Sequence, residues 1–187
     1  MKKIILSFFI ACLAFTTVNA QETDEATDQG FSKWQMRFRL ISAIPSVDDN
    51  LDSTLPGTEV DISTAFAPEL DFTYFFTENW AAELILGTTK HNVEVDAADV
   101  DLGHVWLLPP TLNFQYHFTG GDLKPYLGAG VNYTFFYGVD EGDAVDIEYD
   151  NSFGFSLQGG FDYALSDKWF LNLDIKKIFL KTDVEVD

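Results

Sequence analysis

The sequence predicts an all-β protein: a transmembrane antiparallel up-and-down β-barrel of the eight-stranded type, with seven strands present within these 187 residues. Three observations carry that expectation. Apolar and polar residues alternate with a period of two in seven segments, and none of the long ones fits a helical period. The connections alternate between short and long, the pattern of periplasmic turns and outer loops. The large aromatics collect at the short-connection end, where amphipathic rings meet lipid headgroups.

In residues 34–40 every even position is apolar, while Gln35, Arg37 and Arg39 share the other face. Over 68–76, Leu70, Phe72, Tyr74 and Phe76 oppose Glu69, Asp71 and Thr73. Over 80–88, Trp80, Ala82, Leu84 and Leu86 oppose Glu83. Over 106–118, Leu112, Phe114, Tyr116 and Phe118 oppose Asn113, Gln115 and His117. Over 125–137, Leu127, Val131, Tyr133 and Phe135 oppose Asn132 and Thr134, and Gly128 and Gly130 leave space on the polar side. Over 152–163, Phe153, Phe155, Leu157, Phe161 and Tyr163 oppose Ser156, Gln158 and Asp162. Over 169–179, Trp169, Leu171, Leu173 and Ile175 oppose Asn172, Asp174 and Lys176.

Segments 77–79, 119–124 and 164–168 read as tight turns, and 45–67, 89–105 and 138–151 as long loops. Trp34, Trp80 and Trp169 begin outward strands, and Phe76, Phe118 and Tyr163 end inward ones, so these six form the expected interfacial girdle. A soluble sandwich would turn its apolar faces into each other and has no reason to sort aromatics to one end.

Residues 1–20 read as a secretory signal: Lys2 and Lys3, an apolar run over 4–15, and a small-residue cleavage site ending at Ala20. The apolar run is too short to span a bilayer as a helix. Cys12 lies within it, but Phe9 is bulky where a lipidation site wants a small aliphatic residue. Cleavage after Ala20 leaves no cysteine, hence no disulfide. Residues 21–30 read as a flexible lead-in, and 31–187 as the barrel, incomplete at its C-terminus. Loss of Lys2 and Lys3 takes the formal charge from −19 to −21, which argues against nucleic acid as a partner. Much of that charge lies in the long loops, placing it among lipopolysaccharide phosphates where divalent cations bridge like charges; no spacing there resembles a dedicated calcium loop.

The lumen set is Arg37, Arg39, Glu69, Asp71, Glu83, Asp162, Asp174 and Lys176. An eight-stranded barrel is about wide enough for side chains to fill, so these charges must pair. The same residues would also serve as a selectivity lining for a narrow path. Catalysis, cofactors and metals are not expected. His91, His104 and His117 share no ligand spacing, no serine sits in a nucleophile elbow, and Glu69 with Asp71 is better read as salt-bridged than as an acid/base pair.

Pro109-Pro110 removes two ladder donors facing opposite neighbours. With Trp106, Leu107 and Leu108 this marks either an apolar vestibule beside a gap in the wall or a bulge that shapes the rim.

The segments PELDFTYFFTENWAAELILGTTKH, DLGHVWLLPPTLNFQYHF, KPYLGAGVNYTFF and DKWFLNLDIKKIFLKTDVEVD resemble the OmpW family of small outer-membrane barrels. That resemblance implies an eight-stranded barrel with a narrow, largely hydrophobic interior. It also implies passive movement of small hydrophobic molecules across the outer membrane of a Gram-negative cell, with lateral exit into the bilayer. Leu107-Leu108-Pro109-Pro110 falls where the family carries its own Leu-Leu-Pro-Pro run. Family members continue past the Thr-Asp-Val segment into a final strand, so the last strand is expected to lie outside this sequence. The implied partners are outer-membrane lipid, lipopolysaccharide, small hydrophobic solutes and the assembly machinery. The rival expectation is a recognition barrel whose acidic loops bind phage or bacteriocin or serve envelope adaptation, with no transport.

Overall fold

The computed structural model describes residues 2–17, 33–49, 60–95, 100–140, 142, 147–166 and 169–186. The expected cleavage site at Ala20 and the 21–30 lead-in lie outside them. The described residues form β1 (Lys2–Thr17), β2 (Trp34–Asp49), β3 (Val60–Ile62), β4 (Ala65–Phe75), β5 (Trp80–Gly87) and β6 (Thr89–Val95). They continue as β7 (Val100–Leu108), β8 (Thr111–His117), β9 (Leu123–Asp140), β10 (Ile147–Tyr149), β11 (Ser152–Ala164) and β12 (Trp169–Val186).

All the pairings are antiparallel, and they return on themselves. The circuit runs β1, β2, β4, β5, β8, β9, β11 and β12, with β12 pairing back to β1. The eighth position, expected to be vacant, is filled by β1, which runs from Thr17 opposite Met36 and Trp169 up to Ile4 opposite Asp49 and Thr182. The seven expected strands are present as β2, β4, β5, β8, β9, β11 and β12, and β1, from the residues read as an export signal, joins them for a physical reason. That reason is the seam: β2 and β12 each present a row of backbone donors and acceptors that lipid cannot satisfy. Residues 4–15, apolar but for Ser7 and Cys12, carry no strand alternation in the sequence.

The long connections are also more ordered than expected. β2, β9 and β12 extend past the barrel, and β3, β6 and β7 add a ladder that joins the extension of β9. At the other end the turns are tight. Phe76 N donates to Trp80 O (2.8 Å) and Leu165 N to Trp169 O (2.9 Å).

Side-chain orientation follows the alternation. Outward positions stay open and apolar, as at Leu40 (62 % exposed) and Phe155 (62 % exposed), the surface of a barrel solvated by hydrocarbon. The belt ends above Leu86, where the outward residues become Lys90, Asn92 and Glu94, all exposed. β3, β6 and β10 therefore stand outside the bilayer. At the opposite edge all six girdle residues are exposed. Tyr74 and Tyr116 belong with them: Trp34 lies 4.8 Å from Tyr74, and Trp80 lies 4.8 Å from Tyr116 by ring centroids.

Glycine is required where the lumen is most crowded. A Cβ at Gly160 would lie 2.5 Å from Leu173 O and 2.6 Å from the Tyr126 hydroxyl. Gly160→Ala should therefore destabilise the barrel by about 1–3 kcal/mol through overpacking, read as a lower urea midpoint for unfolding from lipid vesicles.

Candidate functional site

The short-turn half of the lumen is an ion network that starts from ladder register. Arg37 stands opposite Asp71, and Arg39 opposite Glu69, across the β2–β4 pair. The guanidinium groups then reach across the barrel. Arg37 Nη1 donates to Glu83 Oε1 (2.8 Å) and Thr73 Oγ1 (2.7 Å), and its Nη2 to Asp162 Oδ2 (2.8 Å). Arg39 Nη1 lies 2.9 Å from Asp71 Oδ2, while its Nη2 donates to Glu83 Oε1 (3.2 Å) and its Nε to Asn172 Oδ1 (3.0 Å). Lys176 Nζ donates to both oxygens of Glu69 (3.0 and 3.1 Å) and lies 3.9 Å from Asp174. The structure thus brings together all eight lumen charges, and none of their side chains is more than 5 % exposed.

Neutral groups complete the network. Glu83 Oε2 accepts from Gln115 Nε2 (2.6 Å) and Gln158 Nε2 (2.8 Å), and Gln158 Oε1 accepts from Asn113 Nδ2 (2.6 Å). Ser156 donates to Asn113 Oδ1.

Tyr126 was not among the expected lumen residues, yet it is buried at the centre. Its hydroxyl donates to Asp174 Oδ2 (2.7 Å) and accepts from Asn172 Nδ2 (3.0 Å), while its ring stacks on His117 at 5.0 Å. Its even number, shared with Asn132 and Thr134, was the available signal. An aromatic side chain masked it by looking lipid-facing.

Above this network the lumen turns apolar. Ile41, Ala43, Ile85, Leu107, Ile178 and Leu180 line a small cavity, with Gly87, Thr89, Pro109 and Thr111 in its wall and Glu69 and Lys176 at its floor. Ile62, Phe136, Val139 and Tyr149 pack above. Apolar residues on the inward parity, such as Ile41 after Leu40, were the sequence signal for this half.

The expected vestibule run divides between two faces. Leu107 and Pro109 line the cavity, whereas Leu108 is exposed on the outer face and Trp106 stacks on the exposed Tyr137 at 6.2 Å. Pro110 is half-buried and does not line the cavity. Trp106, Leu107 and Leu108 are successive residues of β7 and cannot all face one space, because successive side chains alternate.

The prolines interrupt the ladder between Ile85 opposite Thr111 and Thr89 opposite Leu107. Leu86, Gly87 and Thr88 face Leu108, Pro109 and Pro110 with no ladder pair recorded between them. Side chains take up the carbonyls. Thr88 Oγ1 donates to Leu107 O (3.0 Å), Thr111 Oγ1 to Pro109 O (2.9 Å), and Asn132 Nδ2 lies 3.1 Å from Pro109 O and 3.3 Å from Pro110 O. On the other side Tyr133 N still donates to Pro110 O (3.1 Å).

This arrangement defines a class: an outer-membrane β-barrel with an ionic interior toward its short-turn end and an apolar cavity toward its long-connection end. The family model described as OmpW family matches residues 31–187, and the chain belongs to that family. It is 45 % identical to the outer-membrane protein y4mB of Sinorhizobium fredii, over 96 % of this chain and 81 % of that one. It is 31 % identical to the dibenzothiophene metabolism operon protein PahQ of Pseudomonas aeruginosa, over 69 % of this chain and 63 % of that one. Among solved structures it resembles the outer-membrane protein OprG of Pseudomonas aeruginosa, with a TM-score of 0.57 at 21 % identity, over 98 % and 95 % of the two chains. The protein is thus an outer-membrane protein.

Arg39 holds the network together, and its loss leaves Glu69, Asp71 and Glu83 short of a cation. Arg39→Met should cost about 3–5 kcal/mol, the penalty for stranding buried charge. Urea unfolding in vesicles reads this loss, and adding Asp71→Asn should restore part of it.

Outside the bilayer, His91 Nδ1 donates to Ser63 O (2.7 Å), and Nε2 accepts from the Thr89 hydroxyl (3.0 Å). Burial holds its pKa below the ordinary 6.5. Below that pH the unfolded segment binds a proton that the folded one resists, so this stabilisation is present above pH 6.5 and lost as pH falls through it. Amide exchange at Ser63 and Asn92, corrected for intrinsic rates, should accelerate on going from about pH 7.5 to about pH 5.5, and His91→Gln should flatten that response.

Proposed function

We propose that this barrel moves small hydrophobic molecules passively across the outer membrane, from the outside into the apolar cavity and then sideways into the bilayer. The observation that carries this reading is the stacking of the two lumen halves. A solute in the cavity meets Glu69 and Lys176 at its floor, backed by charged side chains at most 5 % exposed. Displacing that network would strand buried charges at a cost of several kcal/mol. The wall beside the cavity is weaker, because Pro109 and Pro110 offer no ladder donors there. The ion network is thus a plug under this reading, not a selectivity filter. The relative PahQ, whose name ties it to dibenzothiophene metabolism, supports an apolar class of solute.

Residues 1–20 would act as the export signal, delivering the chain to the assembly machinery, so β1 would span the seam between β2 and β12 only in the uncleaved chain. The outer ends of the strands would then stand among lipopolysaccharide, where the acidic outer segments around Asp61, Glu94, Asp140 and Glu148 share divalent cations with its phosphates.

A disulfide across the broken ladder tests the route. Thr88 and Leu108 face each other one step from the paired Thr89 and Leu107. Oxidised T88C/L108C should lose uptake of an apolar tracer into proteoliposomes and regain it on reduction. Unchanged uptake in the oxidised protein would refute lateral exit. Wild-type uptake no faster than that of protein-free vesicles would favour the recognition barrel.

A further inference from the structure

Gly87 is a strand glycine whose lack of a side chain the fold does not require. At Gly130, Gly154 and Gly160 an added Cβ would strike a backbone carbonyl across the ladder. Gly103, Gly121, Gly138 and Gly142 have positive φ that disfavours other residues. Neither reason applies at 87. Gly87 is not among the positive-φ glycines, and a Cβ there would meet Pro68 O at 3.5 Å and Glu69 Cβ at 3.6 Å, which is ordinary contact. Glycine inside a strand costs backbone entropy and forfeits packing, and it often marks the close approach of a ligand or another chain.

Its position supplies the missing reason. Gly87 lines the apolar cavity, and Pro109 lines it too. Ile85 pairs Thr111 and Thr89 pairs Leu107, so both strands advance four residues between the two pairs and Gly87 faces Pro109 at the midpoint. The unpaired stretch of three residues is about 10 Å long at strand rise. On its lumen side it is bordered by the one residue with no side chain and by a ring that cannot donate a hydrogen bond.

We propose that Gly87 sets the aperture of the lateral exit, admitting thin apolar solutes between β5 and Pro109 and rejecting thick ones. This rests on the lateral route proposed above and adds the residue that decides which solutes use it. The recognised class is uncharged and slender, such as a planar aromatic hydrocarbon, since a cage-shaped hydrocarbon of equal hydrophobicity needs the strands to separate further. A side chain at 87 projects into the cavity mouth beside Glu69 and narrows the slot, away from Arg37 and Asp162 at the far side of the network.

The test is a size series, Gly87→Ala, Gly87→Val and Gly87→Phe, reconstituted in proteoliposomes and assayed with naphthalene and with adamantane. Folding is read from heat-modifiable migration in unboiled gels. The expected result is folded protein throughout, with naphthalene flux falling stepwise and reaching the protein-free level at Phe. Wild type should favour naphthalene over adamantane several-fold, and that ratio should rise at Ala before both fluxes vanish, which a merely structural defect would not produce. Should Gly87→Phe fail to fold, Ala and Val carry the test, because the Cβ space exists. Wild-type flux and an unchanged ratio in folded Gly87→Val, with the T88C/L108C staple still blocking uptake, would overturn the role of Gly87 and leave the lateral route standing. Loss of neither flux nor ratio on stapling would overturn the route itself.

Discussion

A backbone N–H in hydrocarbon has no water to bond, so another strand must take it. That constraint organises this protein. It forces β12 and β2 to find a strand for the seam, and it makes the ladders continue around the whole circuit. It also gives meaning to the interruption at Pro109 and Pro110. There the chain removes its own donors, and hydroxyls of Thr88 and Thr111 with the Asn132 amide satisfy the carbonyls. The wall is left without main-chain cross-links there, while side chains take up the carbonyls of Leu107, Pro109 and Pro110.

A second constraint comes from size. Eight strands leave an interior that side chains fill, so each charge pointing inward is a buried charge. The sequence places Arg37 and Arg39 within one strand and their carboxylate partners on three others, and with Lys176 the network ties β2, β4, β5, β11 and β12 together across the lumen. Its members stop where the inward residues become Ile41, Ile85 and Ile178. The boundary between network and cavity is a change of inward residue type at one level of the barrel, and the broken ladder lies at that same level. A polar floor, apolar walls and a weak side are the three features on which the proposed lateral path rests.

Much of this was legible before any coordinates. Alternation alone assigned the inward and outward faces, because a strand's period of two leaves little freedom once one face must meet lipid, and the aromatic girdle gave the chain its polarity. What alternation could not carry was identity against type. Tyr126 was lost because an aromatic on the inward parity resembles an outward residue. The cavity residues were lost because apolar side chains on both faces erase the pattern. The outer ladders of β3, β6 and β7 were read as loops, since outside lipid both faces tolerate polar residues. The seam strand was unreadable for the opposite reason, being apolar at nearly every position. The proline run marked the correct level of the wall, but pleating splits its residues between cavity and lipid.

The central claim is that an apolar solute leaves this barrel through its side before reaching the far compartment. A fluorescent apolar tracer added outside proteoliposomes, with one quencher fixed in the bilayer and another trapped inside, resolves the order of arrival. The account predicts that the protein accelerates quenching in the bilayer, while arrival at the inner quencher follows at the rate of escape from protein-free membranes. Protein-accelerated quenching inside that precedes quenching in the bilayer would contradict it.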